Sequence, residues 1–225
     1  MNYNIIKGCN FSDELNGEHM PAPDKEQFRC EILSWMRVVR DSKRLAMLVK
    51  DSGYKTDIVI AIGRGGFVPA RILCDQLLIR DLTTIKVEHW GIAATQTERA
   101  VIRFPLCADI KNKKVLLVDD ITDTGDTLRV SVDYLKGFNP EEIRTAVLIH
   151  KTCSAIIPDY FVSRIIKWRW VIFPWHIRED LTGFVNRITD AGIRNEDDVC
   201  RELKLRYNID VNADSVREIL SEMQG

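Results

Sequence analysis

The sequence predicts an α/β fold, a mostly parallel central sheet flanked by helices, with a helical C-terminal extension. Three observations lead to it. Short β-branched or apolar runs alternate with helix-patterned segments along the first three quarters of the chain. The run Val115-Leu116-Leu117-Val118 is apolar at every position, the mark of a strand buried on both faces. Glycine- or threonine-rich turns follow such strands directly, and ligands of parallel sheets sit beyond strand carboxyl ends.

Taken in order, residues 1–24 are polar and broken by Gly8, Gly17, Pro21 and Pro23, so they read as an extension. Lys25 to Lys50 carries apolar residues at helical spacing (Phe28, Ile32, Trp35, Met36, Val39, Leu45, Leu48, Val49), giving one or two helices with a break near Asp41-Ser42. Asp57 to Ile62 is a short strand, Gly63-Arg64-Gly65-Gly66 a turn, and Val68 to Leu78 a helix. Ile85 to Trp90 is the next strand. Gly91 to Ala100 is weakly patterned and reads as a loop, and Val101 to Cys107 as the return strand. The central strand runs into Asp119-Asp120, then a loop, then a helix over Leu128 to Lys136. Ile143 to His150 is another strand, and Tyr160 to Phe173 holds one or two more. After Trp175 the pattern is helical, with helices over Asp198 to Leu205 and Ser215 to Met223. In the last, Ser215 and Glu218 have capping-box spacing.

Composition narrows the function classes. The chain has 225 residues, 45% hydrophobic and 29% charged, with a formal net charge of −1. A near-neutral balance and an acid-rich tail (Glu196, Asp197, Asp198, Asp210, Asp214, Glu222) argue against a nucleic-acid or membrane partner. The six cysteines are scattered without a C-x-x-C pair, and Met1 to Asn10 has no long apolar stretch, so unpaired thiols in a cytoplasmic protein are expected.

The chemistry concentrates in Asp119-Asp120-Ile121-Thr122-Asp123-Thr124-Gly125-Asp126-Thr127. A helix start presents unpaired N–H groups and partial positive charge, which suit an anion. Gly125 can take a positive φ and let the loop wrap it, and Thr124 and Thr127 add hydroxyl donors. Asp119 and Asp120 accept only, which fits ribose hydroxyls or a hard, hydrated cation such as Mg²⁺. In Gly63-Arg64-Gly65-Gly66 the glycines expose the main chain and Arg64 adds a forked cation for phosphate oxygens. Neither a dinucleotide fingerprint nor a P-loop motif is present.

These residues resemble the type I phosphoribosyltransferases, over roughly Lys25 to His176. The resemblance implies that fold with a small hood: an extension at 1–24, a transferase domain with a base-binding hood at 25–176, and a helical extension at 177–225. It implies that the loop from Asp119 to Thr127, with Thr122, Asp123 and Asp126, binds phosphoribosyl pyrophosphate (PRPP). Arg64, Gly65 and Gly66 are then the pyrophosphate loop, in which the peptide between Arg64 and Gly65 is often strained or cis. Mg²⁺ is implied as cofactor, with Asp119 and Asp120 reaching it, and a homodimer is implied as the assembly.

Lys151, Trp170 and Val171, the last two within Trp170-Val171-Ile172-Phe173-Pro174-Trp175, look like the purine branch, especially the xanthine–guanine and archaeal-type enzymes. There the lysine donates to the 6-oxo group, while the aromatic and its neighbour supply stacking and main-chain contacts. A donor at that position disfavours adenine. The implied reaction joins hypoxanthine, guanine or xanthine to PRPP, yielding a nucleoside 5′-monophosphate and pyrophosphate in purine salvage. Asp123 is the candidate acid/base, with loop-closing hydrogen bonding as its competing role. Gly91 to Ala100 is the candidate lid. His176 departs from the family, standing where many relatives carry an acid. Two other readings stay open: a PRPP-binding regulator, and a transferase acting on a non-purine acceptor.

Overall fold

The computed structural model describes residues 27–90 and 96–223. The extension at 1–24 and the first half of the candidate lid lie outside them. The second half of that lid is already strand, because β4 starts at Gln96.

The elements run β1 (Cys30–Ile32), α1 (Trp35–Asp51), β2 (Ile58–Gly63), α2 (Phe67–Leu77), β3 (Leu82–Trp90), β4 (Gln96–Phe104) and β5 (Lys114–Thr122). They continue α3 (Asp126–Lys136), β6 (Glu142–Lys151), β7 (Tyr160–Ile165), β8 (Trp170–Ile172), α4 (Ile177–Asp190), α5 (Glu196–Tyr207) and α6 (Ala213–Glu222). Six strands form the main sheet in the order β4-β3-β2-β5-β6-β7. All neighbours are parallel except β3 and β4.

The pleat explains why Val115 to Val118 of β5 are apolar at every position. Leu116 and Val118 point into a core shared with α1 and α2 (Val38, Leu45, Leu73). Val115 and Leu117 point the other way, against Leu128 and Leu135 of α3. With helices on both faces, none of these four residues meets water.

β1 and β8 pair in parallel as a separate small sheet. A third core joins it to the C-terminal helices: Cys30 and Ile172 pack with Phe184, Leu203, Tyr207 and Val216. The hood and the helical extension therefore share one hydrophobic interior.

Several sequence expectations need correction. Residues 30–32 are strand, and α1 runs unbroken from its N-cap Ser34, whose side chain accepts from the Arg37 N–H. Asp41 does not interrupt it, because the Arg37 and Arg40 guanidinium groups bond its carboxylate at 3.4 and 3.0 Å, leaving it no reason to compete for backbone N–H groups. The cap of α6 is Asn212, whose side chain takes the Ser215 N–H at 2.9 Å; Ser215 is the third helical residue rather than the cap. The cis peptide precedes Arg64, at Gly63-Arg64, one bond earlier than the resemblance implied. The five cysteines among the described residues are all free thiols.

Candidate functional site

β2, β5 and β6 are adjacent and parallel, so their carboxyl ends open on one side of the sheet. A cavity of about 660 Å³ lies there. Its walls include Arg64 and Gly65 from the β2 turn, Asp119 to Gly125 and Thr127 from β5 and its loop, and Lys151 from the end of β6. Trp170 and Val171 of β8 line it as well, as do Phe173, Trp175 and His176. Of the residues singled out in the sequence, Gly66 and Asp126 do not line it.

Both absences have local causes. The Gly66 N–H donates to the Ile62 carbonyl at 2.8 Å, so it is closing the turn and has no hydrogen to offer a ligand. Asp126 faces its own helix: its carboxylate accepts from the Thr124 hydroxyl at 3.0 Å and from Arg129 at 2.9 Å. The expected pyrophosphate donor at Gly66 is therefore withdrawn.

Gly125 has φ +92, the left-handed conformation expected of it, and a Cβ there would meet the Ser154 hydroxyl oxygen at 2.7 Å. The α3 N-terminus that follows has no side-chain cap and opens beside the cavity. Thr122 is buried, and its hydroxyl lacks a hydrogen-bond partner among the described residues. Thr122 lines the cavity, so that hydroxyl can serve a ligand there.

Asp119 and Asp120 are 8% and 7% exposed. Burial, followed by the Asp120 charge, pushes the Asp119 carboxyl well above its ordinary range. Burial also raises Asp120, although the nearby His176 charge pulls it back. Gly65 sits directly on this pair: a Cβ there would fall 2.3 Å from Asp120 Oδ2. Among the described residues no three His, Cys, Asp or Glu side chains converge as a metal site. Two buried carboxylates nonetheless fit a hard divalent cation whose other ligands come from substrate oxygens and water.

Lys151 is 1% exposed, and its Nζ lies 2.5 Å from Asp123 Oδ2. Burial lowers its pKa, and the Asp123 charge opposes that shift. Asp123 also accepts from Trp168 Nε1 at 3.1 Å, and the Cys153 thiol approaches its Oδ1 at 3.7 Å. The Lys151 ammonium stands 4.5 Å from the Trp168 ring centroid and 5.9 Å from that of Trp170. Trp168 was missed in the sequence; its only signal is the Trp168-Arg169-Trp170 alternation.

The first turn of α4 supplies three further groups that sequence reasoning left unassigned. Glu179 clasps Arg64 with both carboxylate oxygens, Oε1 to Nη1 and Oε2 to Nη2, each at 2.8 Å. That hydrogen bond holds the Glu179 carboxyl below its ordinary value. His176 Nδ1 lies 2.8 Å from Asp180 Oδ2. Burial alone would lower the imidazole, but Asp180, then Asp120 and Glu179, outweigh it and leave its pKa raised.

Comparison with known proteins matches residues 29–180 to the phosphoribosyl transferase domain family. A xanthine-guanine phosphoribosyltransferase of Desulfotalea psychrophila is 32% identical over 143 residues, covering 64% of this chain and 84% of that protein. The same-named protein of Gluconobacter oxydans is 30% identical over 144 residues, covering 64% and 82%. Among solved structures, a purine phosphoribosyltransferase from Pyrococcus horikoshii superposes with a TM-score of 0.57 at 36% identity, over 65% of this chain and 93% of its own. A hypothetical protein from Neisseria gonorrhoeae with bound ppGpp superposes with a TM-score of 0.58 at 26% identity, over 74% and 98%.

Proposed function

The chain belongs to the phosphoribosyltransferase family, and from that membership we propose that it joins a 6-oxopurine to PRPP, releasing a nucleoside 5′-monophosphate and pyrophosphate in purine salvage. One observation carries the choice of base: Lys151, a buried cation, stands in the same cavity as the anion-binding loop and under two tryptophan rings. A keto oxygen stacked against Trp170 gives that ammonium an acceptor; an exocyclic amine would meet it donor to donor.

Each residue has a task. Asp119 and Asp120 hold the ribose hydroxyls. The loop amides, with the Thr122 and Thr127 hydroxyls, hold the 5′-phosphate, while the Thr124 hydroxyl, donating to Asp126, shapes the loop. Arg64 and the Gly65 main chain meet the pyrophosphate arm. Trp170 stacks on the base and the Val171 main chain meets its edge. Asp123 is occupied by Lys151 and Trp168, which favours positioning of the lysine over proton transfer. Fixing both ends of PRPP aligns the anomeric carbon with the purine nitrogen that attacks it. Mg²⁺, held by Asp119 and Asp120 together with substrate oxygens, would supply positive charge to the departing pyrophosphate. A cytoplasmic location and a homodimer complete the reading. The exposed Trp35 and Met36 on α1 offer apolar surface for the latter.

The test is a panel: protein, PRPP and Mg²⁺ with hypoxanthine, guanine, xanthine, adenine or uracil in turn, assayed for monophosphate. Turnover confined to the oxopurines is expected. Turnover on uracil alone would overturn the base assignment, and PRPP binding without turnover on any base would make the protein a regulator.

A further inference from the structure

We propose that Glu179 sets the site's affinity for pyrophosphate: in the ligand-free protein its carboxylate stands in for that anion on Arg64, and the pyrophosphate arm of PRPP displaces it. The inference rests on the phosphoribosyl-transfer reading and adds a residue to it.

The geometry favours a latch over a brace. Arg64 uses both terminal nitrogens on the two Glu179 oxygens at 2.8 Å, the paired fork that an arginine offers a phosphate. Glu179 lines the cavity itself. A brace would stand behind Arg64, away from the ligand. A carboxylate on the cavity wall instead adds negative charge where a polyanion must arrive, in the cavity that Asp119, Asp120 and Asp180 also line.

The two partners also differ in freedom. Glu179 is in the first turn of α4, and the next turn is anchored by Phe184 and Val185, both fully buried. The Arg64 side chain is 65% exposed and ends a flexible stem. The Glu179 side chain, on the anchored helix, is 37% exposed, so the arginine is the member with more room to swing to an arriving phosphate. Until it does so, the fraction of protein competent for tight pyrophosphate binding is reduced, and apparent affinity falls with it.

Calorimetry of the full chain with Mg²⁺ and either PRPP or pyrophosphate tests this, on the unaltered protein, E179Q, R64A and the double variant. The latch predicts that E179Q binds both ligands about two- to fivefold tighter, the scale of a partly exposed ion pair. In steady state the KM for PRPP falls while kcat holds or drops, since pyrophosphate leaves more slowly, and the KM for the base is unmoved. In the R64A background the glutamate substitution has no effect. E179D, which keeps the charge on a shorter arm, gives a smaller tightening and serves if E179Q does not fold. Weaker binding in E179Q would make Glu179 a residue that orients Arg64, and unchanged binding would make the clasp incidental; either overturns the latch. Absence of PRPP binding in the unaltered protein would instead defeat the parent reading.

Discussion

The Lys151 ammonium and the Asp123 carboxylate form an ion pair with side chains only 2% and 9% exposed, 2.5 Å apart. The pair joins the last residue of β6 to the loop after β5, and so ties the proposed base end of the cavity to its proposed phosphate end. Parallel register makes this possible: Thr122 lies opposite His150, which leaves the next residue of each strand side by side.

Replacing Lys151 by Ala should therefore separate the two ends. A lost charged hydrogen bond to the 6-oxo group lowers kcat/KM for oxopurines by about ten- to hundredfold. PRPP affinity, measured by calorimetry, stays within about twofold, well short of that effect. A collapse of PRPP binding in this variant would show that Lys151 serves the sugar phosphate instead.

Asp123→Asn leaves the lysine buried without its counter-charge, and the sign of the pH effect follows. Burial already lowers the Lys151 pKa while Asp123 raises it, so removing the acid lowers it further. Above that lowered pKa the folded chain has released a proton that the unfolded chain keeps. Stability then rises with pH until the ordinary lysine value near ~10.4 is reached. Denaturant titrations from about pH 7 to 9.5 should show a steeper rise for D123N than for the unaltered protein. Parallel curves would mean that Lys151 is not the titrating group.

Neighbouring glycines of the β2 turn should fail in different ways. A Cβ at Gly65 meets the Asp120 carboxylate at 2.3 Å, whereas one at Gly66 meets the Val118 carbonyl at 2.3 Å. A side-chain carboxylate can move and a sheet carbonyl cannot. Gly65→Ala should keep its melting temperature within a few degrees but lose PRPP affinity by about tenfold or more, as Asp120 is pushed off the ribose. Gly66→Ala should lose about 1–3 kcal/mol of stability from backbone overpacking. Equal melting temperatures with equal PRPP affinities would contradict the assignment of Asp120.

What the sequence made legible was local. Four apolar residues before Asp119 marked a strand covered on both faces, and Gly125 announced its own positive φ. Lys151, read as directly following a strand, lies at the sheet edge where the cavity opens. What stayed hidden depended on partners. Asp41 looked like a helix breaker until Arg37 and Arg40 were seen to satisfy it. Gly66 looked like a free donor, although its hydrogen was already committed to Ile62. Arg64 and Glu179 are 115 residues apart, and no spacing rule joins them. The shared core of hood and extension was invisible for the same reason, since Cys30 and Phe184 meet only in three dimensions.

Cys30 supplies a second pH prediction, of opposite sign. Burial, with the Asp180 charge adding to it, pushes this thiol up to about 12. The folded chain holds a proton that the unfolded chain releases near its ordinary thiol value of ~8.5, so stability falls as pH climbs above that value. Cys30→Ala should flatten this alkaline decline by one proton's worth, about 1.4 kcal/mol per pH unit. Iodoacetamide should label the exposed Cys107 and spare the buried Cys30 in the native protein. Equal labelling of both would refute the protected thiol.

Phe184 decides whether the C-terminal helices matter to the site or merely decorate it. It is fully buried, stacks on Tyr207 at 4.4 Å between centroids and meets Phe28 edge-on at 5.8 Å. Phe184→Ala should cost about 3–5 kcal/mol. The surviving protein should also bind base poorly, because the same core holds Ile172 directly after Val171. Affinity for ribose 5-phosphate should be spared, since its loop stands on α3 and a separate core. Leu128→Ala, beneath that loop, should do the reverse: weaker ribose 5-phosphate binding with little change in the KM for base. If the two variants lose both ligands equally, the cores are not independent supports, and the helical extension acts only through global stability.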